Sequence, residues 1–171
     1  MPDAINLWPQ LRYSKVLLDT SFAMHPGFGR FTNTFGTAFK RNPILIPALV
    51  LWELRKHSRP PQPRKSARTA LQRVANLVRS GRGEVRFESC DRFLDLVILR
   101  VTLQHMLTHN LLVLTNDSKL MLDLRANWES RSVQTKRCLE VLKFRGISDH
   151  VCVFADETSL NPQHNCEPTI V

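Results

Sequence analysis

Acidic residues are scarce in this chain of 171 residues: 15 Asp and Glu stand against 24 Lys and Arg, a formal net charge of +9. Such a balance points to an acidic partner. The excess is local. Between Leu54 and Arg86 lie Arg55, Lys56, Arg59, Arg64, Lys65, Arg68, Arg73, Arg79, Arg82 and Arg86 against the single acid Glu84, so one segment accounts for the whole net charge. Cysteine is sparse and unpaired in pattern: Cys90, Cys138, Cys152 and Cys166 form no C-x-x-C. The opening Met1-Pro2-Asp3-Ala4 lacks the charged-then-apolar order of a signal segment, so a reduced, cytoplasmic protein is expected. Long apolar runs are missing too. The stretch from Phe93 to Leu107 is broken by Asp95, Arg100 and His105, short of the roughly 18 apolar residues of a membrane span, and no membrane partner is expected.

Other chemistries lack a residue they need. Gly27-Phe28-Gly29 begins like a dinucleotide fingerprint, yet Thr32 stands where the third glycine belongs, and no Walker Gly-Lys-Ser/Thr occurs. His105 and His109 have metal-ligand spacing, but Met106 replaces the glutamate of H-E-x-x-H, and structural zinc is not expected. Phe28, Phe31, Phe35 and Phe39 recur at helical spacing and read as core rather than as a base-stacking platform.

What remains is a pattern of short apolar runs alternating with helical segments. Lys15-Val16-Leu17-Leu18, Pro43-Ile44-Leu45-Ile46-Pro47, Glu84-Val85-Arg86-Phe87-Glu88, Leu111-Leu112-Val113-Leu114 and Val151-Cys152-Val153-Phe154-Ala155 read as strands. Helices are expected after Pro26, over Ala48 to about His57, Ser66–Arg79, Asp91 to about His109, Ser118–Trp128 and Val133–Arg145, with breaks at 58–63 and 80–83. One domain over residues 1–155 is expected, with a basic helical insert at about 59–83 and a polar tail over 156–171. Buried strands alternating with helices call for a mostly parallel sheet of four to five strands covered by helices on both faces, a three-layer α/β/α sandwich. In such sheets ligands sit outside the carboxyl ends of the strands, where Asp19 and Asp117 stand. Glu53, and either Asp91 or Asp95, fall where they would join them. Carboxylates gathered at a few ångströms stay ionised only with cations among them, and hard oxygen donors select Mg²⁺ or Mn²⁺.

Four segments, Lys15-Val16-Leu17-Leu18-Asp19-Thr20-Ser21, Ile46-Pro47-Ala48-Leu49-Val50-Leu51-Trp52-Glu53-Leu54, Cys90-Asp91-Arg92-Phe93-Leu94 and Val113-Leu114-Thr115-Asn116-Asp117-Ser118-Lys119-Leu120, resemble in order the motifs of PIN-domain nucleases. No one motif is specific; the ordered set is. The resemblance implies an α/β/α sandwich, a divalent-metal site of Mg²⁺ or Mn²⁺ and hydrolysis of phosphodiester bonds, in RNA more than in DNA. Asp19, Glu53 and Asp117 match the first, second and fourth acids. The third is Asp91 or Asp95, four residues apart on one helix face, with Asp91 preferred as the nearer to the sheet edge. Thr20, Ser21, Thr115 and Asn116 match positions that support the site. Arg55, Lys56, Arg64, Lys65, Arg68 and Arg73 would hold backbone phosphates.

The resemblance leaves the setting open between a toxin of a toxin–antitoxin pair and RNA maturation or turnover. It leaves room for a protein inhibitor, a larger complex or a homodimer. The alternative reading is a catalytically inactive PIN-like module that binds RNA or scaffolds a complex, against which stands the presence of all the acids.

Overall fold

The computed structural model describes residues 7–60, 64–86, 93–105, 108–130, 139–144 and 151–155. Six strands form one sheet: β1 (Lys15–Leu18), β2 (Ile44–Pro47), β3 (Gly83–Arg86), β4 (Leu111–Leu114), β5 (Leu139–Phe144) and β6 (Val151–Ala155), in the order β3-β2-β1-β4-β5-β6. The first five are mutually parallel; β6 lies antiparallel on β5. Val16, Leu17 and Leu18 are fully buried, as are Leu112, Val113 and Leu114. Strands with no solvent face have no use for alternation, which is why these runs are apolar without interruption.

Helices cover both faces. α1 (Trp8–Tyr13) packs on α4 (Gly36–Arg41); α2 (Thr20–Ala23) and α3 (Phe28–Thr34) complete the crossover from β1 to β2. α5 (Ala48–Ser58) and α6 (Lys65–Arg79) pack on each other within the β2 to β3 crossover, and α7 (Leu94–His105) packs on α8 (Ser118–Glu129). The three-layer, mostly parallel sandwich expected from the sequence is the observed architecture. Lys65–Arg79, inside the stretch read as an insert, turns Ala67, Ala70, Val74 and Leu77 into the core at helical spacing.

Phe28 and Phe39 are fully buried and Phe31 nearly so, with the Phe31 ring 5.4 Å from Phe22, 5.1 Å from Phe35 and 5.9 Å from Phe39. These rings are core, as their spacing indicated. Trp8 caps the cluster edge-on at 5.6 Å from Phe35. No helix among the described residues is long and apolar enough to cross a membrane.

One element departs from the sequence reading. The segment read as a helix over Val133–Arg145 contains β5, and its pairing with β4 and β6 explains why. Leu139, Val141 and Leu142 are buried, and a short apolar run of this kind satisfies helical and extended spacing equally. The exposed edge of β4 decides the matter, because its unpaired amides and carbonyls need a partner strand. The sheet therefore has six strands, one more than was counted from apolar runs. The tail over 156–171 lies outside the described residues.

Leu142 is fully buried, and its carbonyl accepts the Thr115 amide at 3.0 Å. Leu142→Ala should cost about 2–5 kcal/mol through the cavity it leaves, read as a lower urea midpoint at unchanged slope.

Candidate active site at the carboxyl edge of the sheet

The chain leaves β1 toward β2 and β3 on one side, then returns to place β4 on the other side of β1. Adjacent strands whose connections depart in opposite directions open a crevice beyond their carboxyl ends. The register aligns Leu18 with Leu114, and the Asp19 amide continues the ladder to the Leu114 carbonyl at 2.9 Å. Asp19 and Thr115 consequently stand level at the mouth of the crevice.

Asp19 is 5% exposed and caps α2. Its Oδ1 accepts the Thr20 amide at 2.7 Å. Its Oδ2 accepts the Ser21 amide at 3.2 Å, the Thr115 hydroxyl at 2.8 Å and the Ser21 hydroxyl. Each hydroxyl is itself an acceptor: Ser21 Oγ takes the Asn116 amide at 2.8 Å, and Thr115 Oγ1 takes the Asp117 amide at 3.0 Å. The loop after β4 is thus tied to the carboxylate after β1 through two hydroxyl relays. Burial raises the Asp19 pKa, opposed by the hydroxyls of Ser21 and Thr115 and by the Ser21 and Thr20 amides. A carboxylate has about four acceptor sites, so Oδ2 is saturated while Oδ1 keeps a lone pair for another ligand. Thr20 Oγ1, also buried here, has no hydrogen-bond partner among the described residues.

Asp117 is exposed and caps α8, its Oδ1 accepting the Lys119 and Leu120 amides at 2.7 and 3.2 Å. Asp95 lies half-buried in the first turn of α7. Its pKa is raised by burial, then by the charges of Asp19, Asp117 and Asp123, with Lys119 opposing. Asp95 therefore shares the electrostatic neighbourhood of Asp19 and Asp117. Asp123, read from the sequence as a surface residue, is half-buried and adds to this field; its position beside the buried Leu120 and Leu124 of α8 was the available signal.

Glu53, the sixth residue of α5, is half-buried on a helix that packs against α2. Asp91 lies outside the described residues. Of the basic positions, Arg55, Lys56, Arg64, Lys65 and Arg68 are exposed, Lys56 lying 5.2 Å over the Trp52 ring and Arg68 donating to the Ser58 carbonyl at 3.3 Å. Arg73 turns inward and donates to the Pro26 carbonyl at 3.2 Å. The His105 and His109 rings meet edge to face at 5.2 Å.

Among the described residues no three of Asp, Glu, His and Cys stand close enough to cage one ion. The donor set is an open edge of mutually repelling carboxylates. That suits Mg²⁺, which keeps several waters and takes one or two carboxylates together with phosphate oxygens.

The field on Asp95 fixes the sign of a stability effect. A carboxylate whose folded pKa lies above its unfolded value destabilises the fold as pH rises through the interval between the two. Asp95→Asn should therefore raise the melting temperature of the chelator-treated protein at pH 7–8 by about 2–4 °C, on the order of 1 kcal/mol. The gain should fall away by about pH 3, below the ordinary carboxylate pKa, where the folded and unfolded chains are protonated alike. Melts of the two proteins at both pH values check this. Asp19→Asn should give no such gain, because an amide cannot accept all the bonds that converge on Oδ2.

No protein-family model and no curated protein matches the sequence. Among solved structures the chain is similar to the PIN domain endonuclease Utp24, at 19% identity and a TM-score of 0.56 over 83% of this chain and 93% of that one. It is also similar to a domain of a functionally unknown protein from Methanocaldococcus jannaschii DSM 2661, at 17% identity and a TM-score of 0.53 over 84% of this chain and 99% of that one. The strand order, the crevice between β1 and β4 and these likenesses together establish that the chain has a PIN-like fold.

Proposed function

We propose that the chain is a metal-dependent nuclease that hydrolyses phosphodiester bonds, with RNA as the preferred substrate. The observation that carries this reading is the placement of Asp19 and Asp117 beyond the neighbouring ends of β1 and β4, joined through Thr115, with Asp95 in the first turn of α7. Negative charge concentrated at a ligand-binding edge is costly unless cations share it. The likeness to a PIN domain endonuclease supports the same chemistry.

In this reading Asp19, Asp95 and Asp117 hold Mg²⁺ or Mn²⁺, with Glu53 and Asp91 as further acids of the edge. When bound, such an ion supplies a hydroxide-like water at neutral pH and neutralises charge on the phosphate oxygens. The chain's own contribution is placement. Ser21 and Thr115 hold the Asp19 carboxylate by hydrogen bonds to Oδ2, while Oδ1 accepts the Thr20 amide alone. The amides of Asn116 and Asp117 fix those hydroxyls in turn. Arg55, Lys56, Arg64, Lys65 and Arg68 are exposed cations that would attract a phosphate backbone without reading sequence. A cytoplasmic role as the toxin of a toxin–antitoxin pair, or in RNA maturation or turnover, with an inhibitor or a second copy as protein partner, is compatible with this chemistry.

Asp117→Asn is the cleanest test, because Asn caps a helix as well as Asp and only the charge is lost. Labelled single-stranded RNA and DNA are incubated with Mg²⁺, with Mn²⁺ and with chelator. The wild type should cleave RNA only with metal. Asp117→Asn and Asp95→Asn should each lose at least about a hundredfold, roughly 2.7 kcal/mol of transition-state stabilisation. Loss in Asp91→Asn but not Asp95→Asn would move the third acid one helical turn earlier. RNA binding without cleavage under any metal would overturn the nuclease in favour of the inactive RNA-binding module.

A further inference from the structure

A groove of about 700 Å³ runs between α3 and α6, away from the acidic crevice. Its walls carry Arg30, Asn33, Arg73, Asn76, Ser80 and Arg82, and no Asp or Glu lines it. Its lower end is fixed by the sheet. The Arg82 carbonyl accepts the Ile44 amide at 3.0 Å where β2 begins, so Arg82 sits at the amino edge of the strands, opposite Asp19.

Two of the guanidinium groups are seated on glycines. A Cβ on Gly29 would come 2.9 Å from Arg73 Cζ and Nε, and one on Gly36 would come 2.9 Å from Arg82 Nη1. Gly29 lies in α3 and Gly36 opens α4, so each guanidinium is held against a different helix. Both side chains are half-buried, and neither has a carboxylate partner among the described residues. Arg82 Nε is buried with no hydrogen-bond acceptor among the described residues. Partly desolvated cations without counter-charge disfavour the fold unless an anion joins them.

We propose that this groove binds the phosphate backbone of a nucleic-acid strand independently of metal, as a second contact site for the substrate of the crevice; it rests on the nucleic-acid reading above but not on cleavage. The lining carries three arginines and no carboxylate, which suits a polyanion, and fixed planar guanidinium groups match the oxygens of a sugar–phosphate chain. α6 carries further exposed cations, Arg64, Lys65 and Arg68, at its amino-terminal end.

The test uses the full chain in chelator and reads anisotropy of a labelled single-stranded oligonucleotide against salt. Arg73→Gln with Arg82→Gln should weaken binding at least tenfold and flatten the log K against log salt slope by about 1.4, or 0.7 per lost contact. Gly29→Ala should weaken it severalfold at unchanged net charge, because the new Cβ displaces the Arg73 guanidinium. That variant keeps the proposal testable if the double variant does not fold: the methyl meets only the end of a flexible side chain, and alanine is the better helix former by about 1 kcal/mol. Wild-type affinity and slope in all these variants would overturn the proposal. So would arginine-dependent binding of labelled polyglutamate with no binding of the oligonucleotide, which would make the occupant an acidic protein segment. A chain that binds through the groove but cleaves nothing overturns the nuclease reading alone; one that cleaves yet ignores the groove substitutions overturns the groove alone.

Discussion

The alignment of Leu18 with Leu114 across parallel β1 and β4 is the constraint on which the rest depends. It sets Asp19 level with Thr115, and only at that level can one carboxylate oxygen receive hydroxyls from both strand ends. A slip of one residue would turn Val16 and Leu112 away from their present faces and break both relays. The fully buried strands resist such a slip, so the geometry of the polar site is enforced by apolar packing behind it.

The same arrangement sets a cost. Asp19 is buried, and Asp95 is pushed toward its neutral form by burial and then by neighbours of like charge, so without a cation the edge works against folding. The hydrogen bonds to Asp19 offset part of its burial, and Asp95 has no comparable compensation in its field beyond Lys119. Sites tuned for charge they do not supply themselves commonly lower stability in this way.

The parts of the fold read correctly from sequence are those where one physical demand dominated. Leu111–Leu114 is apolar at every position because both faces are covered, and its end in Thr115-Asn116-Asp117 marks the crevice. Leu139–Phe144 was misread because its sequence satisfies two periods, and pairing with β4, a non-local fact, makes the choice. The acids show the same division. Asp19 and Asp117 follow their strands and were visible from position alone, whereas the contributions of Asp95 and Asp123 depend on how α7 packs on α8. α1 carried no periodic signal in its six residues; its place is set by α4 and by the ring contact of Trp8 with Phe35.

Charge is segregated along the strands. Acids gather at the carboxyl ends, and the groove of Arg73 and Arg82 extends to the amino ends. Strands of four residues span about 13 Å, so the two regions are separated by more than a Debye length at physiological salt. Neither therefore neutralises the other in solution, and each retains its attraction for a counter-ion of opposite sign. On the proposed reading, a polyanion long enough to cross that distance gains from both: its backbone meets fixed guanidinium groups at one end, and cations held by the acids at the other. A fragment shorter than the separation must choose one region. Substrate length thus becomes a variable that the architecture itself discriminates, with no base contact required.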